Sequence, residues 1–330
     1  MPELRKDPVV NRWVLISTDR DQRPTDFIAS KKEQIRNSSP FLPGNEAMTP
    51  PEILSLPRDR SPETPWTLRV VPNKYPAITN DGALKKISSG MFQALQGPGS
   101  HEVIIETPED DRQTSELSDS DIFNLMQTYA ERICAHKANS GIEYVQIFKN
   151  QGPSAGATLK HAHSQLLALP HVPQMIIDEI NGAADYYNKH KSCVYCDIIQ
   201  QEKKSDTRVI FENEQFLVIT PYASRFSHEI WILPKKHESH FETLSQTDMR
   251  LCAEAFKTAL KKIDIALNKP DLNYVLHTAP VQSETLEHYH WHWEILPRVT
   301  GIAGFELGSG IHINPTKPED AAEQMKKIII

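Results

Sequence analysis

Lys160-His161-Ala162-His163-Ser164-Gln165, followed by the apolar run Leu166-Leu167-Ala168-Leu169-Pro170, is the stretch from which the rest of the chain can be read. Side chains alternate along a strand, so two histidines one residue apart point to the same face. Just upstream runs Asn150-Gln151-Gly152-Pro153-Ser154-Ala155-Gly156-Ala157-Thr158. Small residues there let a ligand approach the backbone closely. A paired imidazole face beside such a loop suits phosphate chemistry. Neutral imidazole is a nucleophile near neutral pH, and loop N–H groups can donate to phosphoryl oxygens. A lone His-x-His is as readily a pair of satisfied core or surface residues, so the weight rests on what surrounds it.

The chain has 330 residues, room for two domains or one large duplicated one. It is 39% apolar and 24% charged, with a formal net charge of −7. That balance gives no general argument for nucleic acid or an anionic membrane as partner. No apolar run reaches transmembrane length, and Met1-Pro2-Glu3-Leu4-Arg5 does not open a signal peptide, so a cytoplasmic location is expected. Four cysteines do not suggest a disulfide framework in such a chain. The 24 prolines suggest long extended connections rather than a helical bundle.

Asn11-Arg12-Trp13-Val14-Leu15-Ile16-Ser17 reads as a strand, followed by the polar turn Asp19-Arg20-Asp21-Gln22-Arg23-Pro24. Arg20 and Arg23 could clamp a phosphate or could simply be solvated. Residues 28–65 read as a long proline-rich loop, Leu68 to Asn73 as a strand ending in a turn, and 79–99 as an excursion from the core. His101 to Glu106 is a strand. Ser118 is placed to cap a helix running to about Ala138, with Asp121 where a capping-box acid belongs. Phe123, Met126, Ala130 and Ile133 form its buried stripe. Tyr144 to Phe148 is the strand that leads into the glycine loop.

The same order recurs about 127 residues later. His228-Glu229-Ile230-Trp231 answers His101-Glu102-Val103-Ile104. Leu244-Ser245-Gln246-Thr247-Asp248 answers Leu117 to Asp121, Tyr274-Val275 answers Tyr144-Val145, and His290-Trp291-His292 answers His161-Ala162-His163. An ordered series at nearly constant spacing reads as an internal duplication. Each half is then an α+β unit of mainly antiparallel strands plus one long helix, and the halves, 1–175 and 176–330, are related by a pseudo-twofold.

Only the second half carries a Cys-x-x-Cys turn, Cys193-Val194-Tyr195-Cys196. Such a turn aims two thiolates at one point, as a zinc knuckle does, and can also be a redox pair. No thioredoxin-like context surrounds it, which favours metal. The duplication selects His237 and His290 as the other two ligands, with His240, His277, His288 and His292 as rivals. Cys134 and Cys252 fall on helices and read as packing. In the first half Ser39 and Leu42 stand where the cysteines belong and Asp110 where His237 stands, so His161 is the one nitrogen ligand left. One structural zinc, in the second half only, is the expectation. The first half is then expected to be held by packing alone.

These residues resemble the galactose-1-phosphate uridylyltransferase family of the histidine triad superfamily. The resemblance covers nearly the whole chain: from Leu4–Val9 through Arg23-Pro24, then Pro40 to Glu46, Pro72 to Ala77, Asn150-Gln151-Gly152, His161 to Gln165, Gly304 to Gly310, and Ile313-Asn314. Plant-type ADP-glucose phosphorylases resemble it about as well. The resemblance implies a duplicated histidine-triad-like fold and a two-step exchange. His163 attacks the α-phosphorus of UDP-glucose, glucose 1-phosphate leaves, and galactose 1-phosphate collects the uridylyl group. It further implies that the His161 carbonyl holds the proton on the other ring nitrogen of His163, and that Gln165 bonds the phosphoryl oxygens. Thr158, Asn150, Arg20 and Arg23 match phosphate contacts, and Asn73 a nucleotide contact. Phe305 and Glu306 match a sugar-binding pair that reaches the site from a partner subunit, which implies a homodimer acting on a nucleotide sugar and a sugar phosphate. Phe305 stands where many transferases have tyrosine. An ADP-glucose phosphorylase, a catalytically silent nucleotide-binding protein and a nucleotide hydrolase are the competing readings. The hydrolase is disfavoured because Gln165 stands where a third histidine would be the general acid.

Overall fold

The computed structural model describes residues 2–18, 39–57, 66–80 and 82–330, so Arg20 and Arg23 lie outside the described residues. The first part of the chain forms β1 (Glu3–Lys6), β2 (Trp13–Ile16), β3 (Leu54–Pro57), β4 (Trp66–Pro72), β5 (Lys85–Ser89), β6 (Phe92–Gln96) and β7 (Ser100–Ile105). It continues with α1 (Asp119–Lys137), β8 (Tyr144–Gln151) and β9 (His163–Leu169). Then come α2 (Gln174–His190), α3 (Val194–Ser205), β10 (Val209–Glu212), β11 (Phe216–Ile219), β12 (Ile230–Pro234), α4 (Gln246–Leu267), β13 (Leu272–His277) and β14 (His292–Pro297). The last elements are α5 (Gly304–Ser309), β15 (His312–Asn314) and α6 (Pro318–Lys326).

Ten strands form one sheet in the order β10-β11-β12-β14-β13-β8-β9-β7-β4-β3, antiparallel throughout. Each half lays down three strands, then a long helix, then two more strands, the last inserted between the third and the fourth. The halves meet where β8 pairs with β13, around Phe148 opposite Val275. The duplication and the α+β class are therefore properties of the fold.

The caps come straight from the sequence. Ser118 Oγ accepts the Asp121 N–H at 3.1 Å, and Ser245 Oγ accepts the Asp248 N–H at 3.1 Å, so α1 and α4 start alike. These two helices lie on one face of the sheet over a core of Ile122, Met126, Tyr129, Phe256, Ile263, Trp291 and Trp293. Phe123, Met126 and Ile133 are buried on α1, and Ala130 packs at the margin of that core. Deep burial of so many large apolar side chains is what orders a chain this long.

Several expectations are corrected. The segment read as a loop over 28–65 contains β3, an edge strand pairing Leu54 with Val70 and Leu56 with Leu68. The excursion at 79–99 is a hairpin, β5–β6, exposed along both strands. The second half has more than one long helix, since α2 and α3 precede its first strand.

Two of the sequence matches are out of structural register. Gln165 and Glu294 each follow the second histidine of their pair by two residues, and they lie opposite Val103 and Trp231. Val103 therefore corresponds to Trp231, not to Ile230, and His101-Glu102 is one residue out of step with His228-Glu229. A one-residue slip moves a side chain to the other face. Likewise Leu166 and Ile295, each three residues after the second histidine, pair with Ile147 and Tyr274, so Tyr274 does not correspond to Tyr144. The strand order repeats even where the letters do not.

The other face of the sheet separates the halves. In the second half α2 and α3 cover it, with Ala183, Val194, Tyr195 and Ile199 against Leu217, Ile219, Trp231 and Leu233. In the first half that face holds only a small cluster, Phe41, Trp66, Val71, Val103 and Ile105, edged by Leu159. The histidine pair lies beside this smaller cluster. Among the described residues no helix is long and apolar enough to cross a membrane.

Candidate active site

His163 opens β9 and His161 lies just before it, so the pair is set at the mouth of the strand rather than within it. Both are buried. His163 Nδ1–H donates to its neighbour's carbonyl, His161 O, at 2.8 Å. A carbonyl only accepts, so this bond selects the tautomer and leaves Nε2 with a free lone pair. Burial pushes the His163 pKa below the ordinary imidazole range, with the nearby Lys149 ammonium acting in the same sense. The ring is therefore neutral at pH 7, as a nucleophile must be. Phe41 meets its edge, ring centroids 5.3 Å apart.

His161 is held on both ring nitrogens. Nε2 lies 2.7 Å from Thr107 O, and Nδ1 lies 3.0 Å from Ser39 Oγ. The first half is therefore not held by packing alone, as its lost ligands suggested. A cavity of about 200 Å³ opens on this pair, walled by Lys149, Asn150, Gly152 and Asp271 among others. Asn273 Nδ2 donates to Asn150 Oδ1 at 2.8 Å, which leaves the Asn150 amide N–H groups to be offered elsewhere. Gly152 has φ of 84°, and a Cβ there would sit 1.9 Å from Asp271 Oδ1, so this turn requires glycine. Asp271 in turn accepts the Ser154 N–H at 2.7 Å and fixes the loop. Thr158 follows on the same loop.

Gln165 lies next along β9 on the side of His163, and its partner is a residue the motif reading missed. His101 Nε2 lies 2.7 Å from Gln165 Oε1, while its Nδ1 accepts the Ala77 N–H at 3.0 Å. His101 thus presents Nε2–H to the Gln165 oxygen and turns the amide N–H groups the other way. Asn73 Nδ2 stands 3.1 Å from the same ring nitrogen. The signal was present, since His101 lies on β7, the strand paired with that of the histidine motif, but it stands opposite Leu167, and only the folded structure shows that its ring reaches diagonally to Gln165. Beneath the strand, Tyr129 O–H donates to Ser164 Oγ at 2.7 Å, and the buried Lys149–Glu106 pair closes at 2.6 Å with Thr114 and Tyr274 completing it.

Phe305 and Glu306 are on α5, Phe305 exposed and Glu306 half-buried, and neither lines the cavity at His163. A larger cavity of about 500 Å³ lies between α3 and Trp231, and no member of the histidine motif lines it.

In the second half Cys193, Cys196, His237 and His290 converge, with their ligand atoms within 4.8 Å of one another. Cys193 Sγ is 3.4 Å from His290 Nδ1, and Cys196 Sγ is 3.6 Å from His237 Nδ1. Zn–S and Zn–N bond lengths put the S···N edge of a tetrahedral site at about 3.5 Å, so the four donors fit zinc. His237 Nε2–H donates to Leu286 O at 3.0 Å, the outer-shell bond that fixes a metal-binding tautomer. Hydrogen bonds from Cys196, His237 and His290 pull Cys193 toward the thiolate, and the same shared bond pushes Cys196 up. The rivals His277 and His292 form a second buried group with Glu179 and Glu294, in which Arg225 bonds Glu294 at 2.5 Å and His277 Nδ1 lies 2.9 Å from Glu179 Oε1. The second half thus contains groups that could hold a metal.

Sequence models for the galactose-1-phosphate uridyl transferase N-terminal and C-terminal domains match residues 1–173 and 179–328. The chain belongs to the galactose-1-phosphate uridylyltransferase family. It is 40% identical to the ADP-glucose phosphorylase of Arabidopsis thaliana, over 99% of this chain and 93% of that one. It is 27% identical to the galactose-1-phosphate uridylyltransferase of Thermotoga maritima, over 99% and 98%. Among solved structures, the Arabidopsis thaliana ADP-glucose phosphorylase with bound ADP-glucose superposes with a TM-score of 0.86 at 37% identity, over 100% of both chains. A uridylyltransferase structure gives 0.76 at 28% identity, over 99% and 97%. The family makes this chain a nucleotidyltransferase.

Proposed function

We propose that this family member transfers a nucleotidyl group through a covalent His163 intermediate, from UDP-glucose to galactose 1-phosphate. The observation that carries the reading is the 2.8 Å bond from His163 Nδ1 to the His161 carbonyl, which leaves a neutral Nε2 beside the cavity. In the first step Nε2 attacks the α-phosphorus. An N–P bond forms, the P–O bond to the sugar-bearing phosphate breaks, and glucose 1-phosphate departs with the bond's electrons. In the second, a phosphate oxygen of galactose 1-phosphate attacks the same phosphorus and His163 leaves neutral. Splitting the exchange into two displacements lowers each barrier. Gln165, oriented by His101, and Asn150 donate to the phosphoryl oxygens as charge builds there. Thr158 and, from the segment outside the described residues, Arg20 and Arg23 add phosphate contacts, and Asn73 contacts the nucleotide. Phe305 and Glu306 hold the hexose from a second copy of the chain, which makes the working unit a homodimer of subunits divided at about residue 175. One zinc on Cys193, Cys196, His237 and His290 braces the second half without entering the chemistry. The cytoplasm is the proposed location.

A second reading, adenylyl transfer from ADP-glucose to inorganic phosphate, is favoured by the higher identity to the Arabidopsis phosphorylase, 40% against 27%. Both share the first step. Intact-protein mass after incubation with UDP-glucose, and separately with ADP-glucose, separates them: a uridylyl adduct absent from His163→Ala supports the first, an adenylyl adduct the second. No adduct with either donor, even on rapid quench, overturns both.

A further inference from the structure

We infer that Ser39 is the positioning residue of the nucleophile, its hydroxyl taking on His161 the place that a cysteine sulfur takes on the equivalent histidine of the second half. Two hydrogen-bond chains, one in each half, carry this. In the second half Cys193 Sγ meets His290 Nδ1 at 3.4 Å, and His290 O accepts His292 Nδ1–H at 3.2 Å. In the first half Ser39 Oγ meets His161 Nδ1 at 3.0 Å, and His161 O accepts His163 Nδ1–H at 2.8 Å. The same ring atom, Nδ1, is engaged in both, and the same carbonyl hands the constraint to the second histidine.

The donor assignments follow from the partners. Thr107 O, 2.7 Å from His161 Nε2, can only accept, so Nε2 carries the hydrogen and Nδ1 is a lone pair. Ser39 must then donate to it. The Ser39 oxygen also accepts the Phe41 N–H at 3.2 Å, and its carbonyl accepts Asn45 Nδ2–H at 2.7 Å. The hydroxyl therefore both donates and accepts, one hydrogen out and one in, and the segment that carries it is tied down. That segment also places Phe41 against both rings, 5.8 Å from His161 and 5.3 Å from His163. Without the hydroxyl, His161 loses one of its two ring anchors. Its carbonyl, which selects the His163 tautomer, is then free to shift.

Ser39 so acts through His161 and touches no reacting atom. The inference rests on the reading of His163 as nucleophile, and one of its measurements does not. The experiment compares Ser39→Ala, Ser39→Thr and Ser39→Val with the full-length wild type. The single-turnover rate of adduct formation is measured by rapid-quench mass spectrometry with UDP-glucose and ADP-glucose, and donor Kd by titration. Ring tautomers are read by ¹⁵N NMR of histidine-labelled protein, assigned with His163→Ala.

Outer-shell partners of this kind are worth about 10- to 100-fold, so Ser39→Ala and Ser39→Val should slow adduct formation by that factor with donor Kd within about threefold. Ser39→Thr, which keeps the hydroxyl, should stay near wild type. The His163 ¹⁵N signals should move from one Nδ1–H tautomer to an exchange average in the Ala and Val variants alone. If the wild type forms no adduct but those signals respond to Ser39, the enzymatic reading fails and the positioning stands. Wild-type rate and unchanged tautomers in Ser39→Ala would overturn it. So would equal losses in Ser39→Thr and Ser39→Val, which have the same shape and differ in the hydroxyl; that pair decides the matter if Ser39→Ala does not fold.

Discussion

The two halves of this chain share a strand order and differ in what they do with it. In the second half, thiols and imidazoles converge on one point, and α2 and α3 close the outer face of the sheet. In the first half Ser39, Leu42 and Asp110 cannot supply that donor set, hydrogen bonds hold the histidine pair, and the outer face keeps a small cluster beside a cavity. The same topology thus carries a converging thiol–imidazole group in one half and a histidine pair beside a cavity in the other. On the proposed function, the duplicated fold divides its labour between the halves through a handful of changed side chains. His163 borders a cavity, whereas His292 is enclosed by Tyr195, Trp231 and His277.

The largest test of that division removes, one at a time, the two histidines that occupy equivalent places. His163→Ala should abolish adduct formation while the protein stays folded. His292→Ala should leave the adduct in place and cost stability instead, because His292 is enclosed by Tyr195, Trp231 and His277. Mass spectrometry and thermal melts on both variants check this, and an adduct that disappears only in His292→Ala would reverse the assignment of the halves.

Next in size is the brace. Metal analysis should find one equivalent of zinc per chain, and Cys193→Ser should remove it with a loss of about 3–4 kcal/mol in a denaturant melt. A second equivalent in the wild type that is lost in His161→Ala would mean that the halves differ less than Ser39 and Leu42 imply.

A smaller effect is expected at His101, which the motif does not contain. His101→Ala frees the Gln165 amide to rotate and should slow adduct formation by about 10- to 100-fold, since small misplacements near the reacting atoms cost that much. His228→Ala, the residue whose letters match His101 in the second half, should leave the rate as it is. Equal rates in the two variants would show that the His101–Gln165 bond does not matter.

The mildest prediction concerns pH. Burial lowers the His163 pKa below 6.5, so its neutral form persists below the pH at which a free imidazole takes up a proton. The adduct rate should stay flat as pH falls from about 8 through 6.5 and drop only below that. Stability moves with the same sign. The unfolded chain binds the proton first, so stability is lost as pH falls below 6.5. A break in the rate profile at or above 6.5 would contradict the burial argument.

Much of the fold was legible without coordinates. The caps Ser118 and Ser245 depend on one hydroxyl and an amide three residues on, so local sequence suffices. The His-x-His pairs and Cys-x-x-Cys were legible for the same reason: their geometry is set within a few residues. His101 was not, because its bond to Gln165 crosses between strands 64 residues apart. Nor was the register of the repeat. Letter matching aligned His228 with His101 and Tyr274 with Tyr144, and strand pairing moved both.

By itself, then, the sequence determined the duplication, the α+β class, the histidine motif and the single cysteine turn, because periodicity and short-range spacing carry those. The tertiary structure decided where the histidines sit and what each one bonds. It alone brings Ser39 to His161 across 122 residues and Cys193 to His290 across 97, and it alone lays α2 and α3 over one half of the sheet and opens a cavity at the histidine pair of the other. Contacts between residues that far apart depend on how strands pair and helices pack, and no local pattern encodes that pairing.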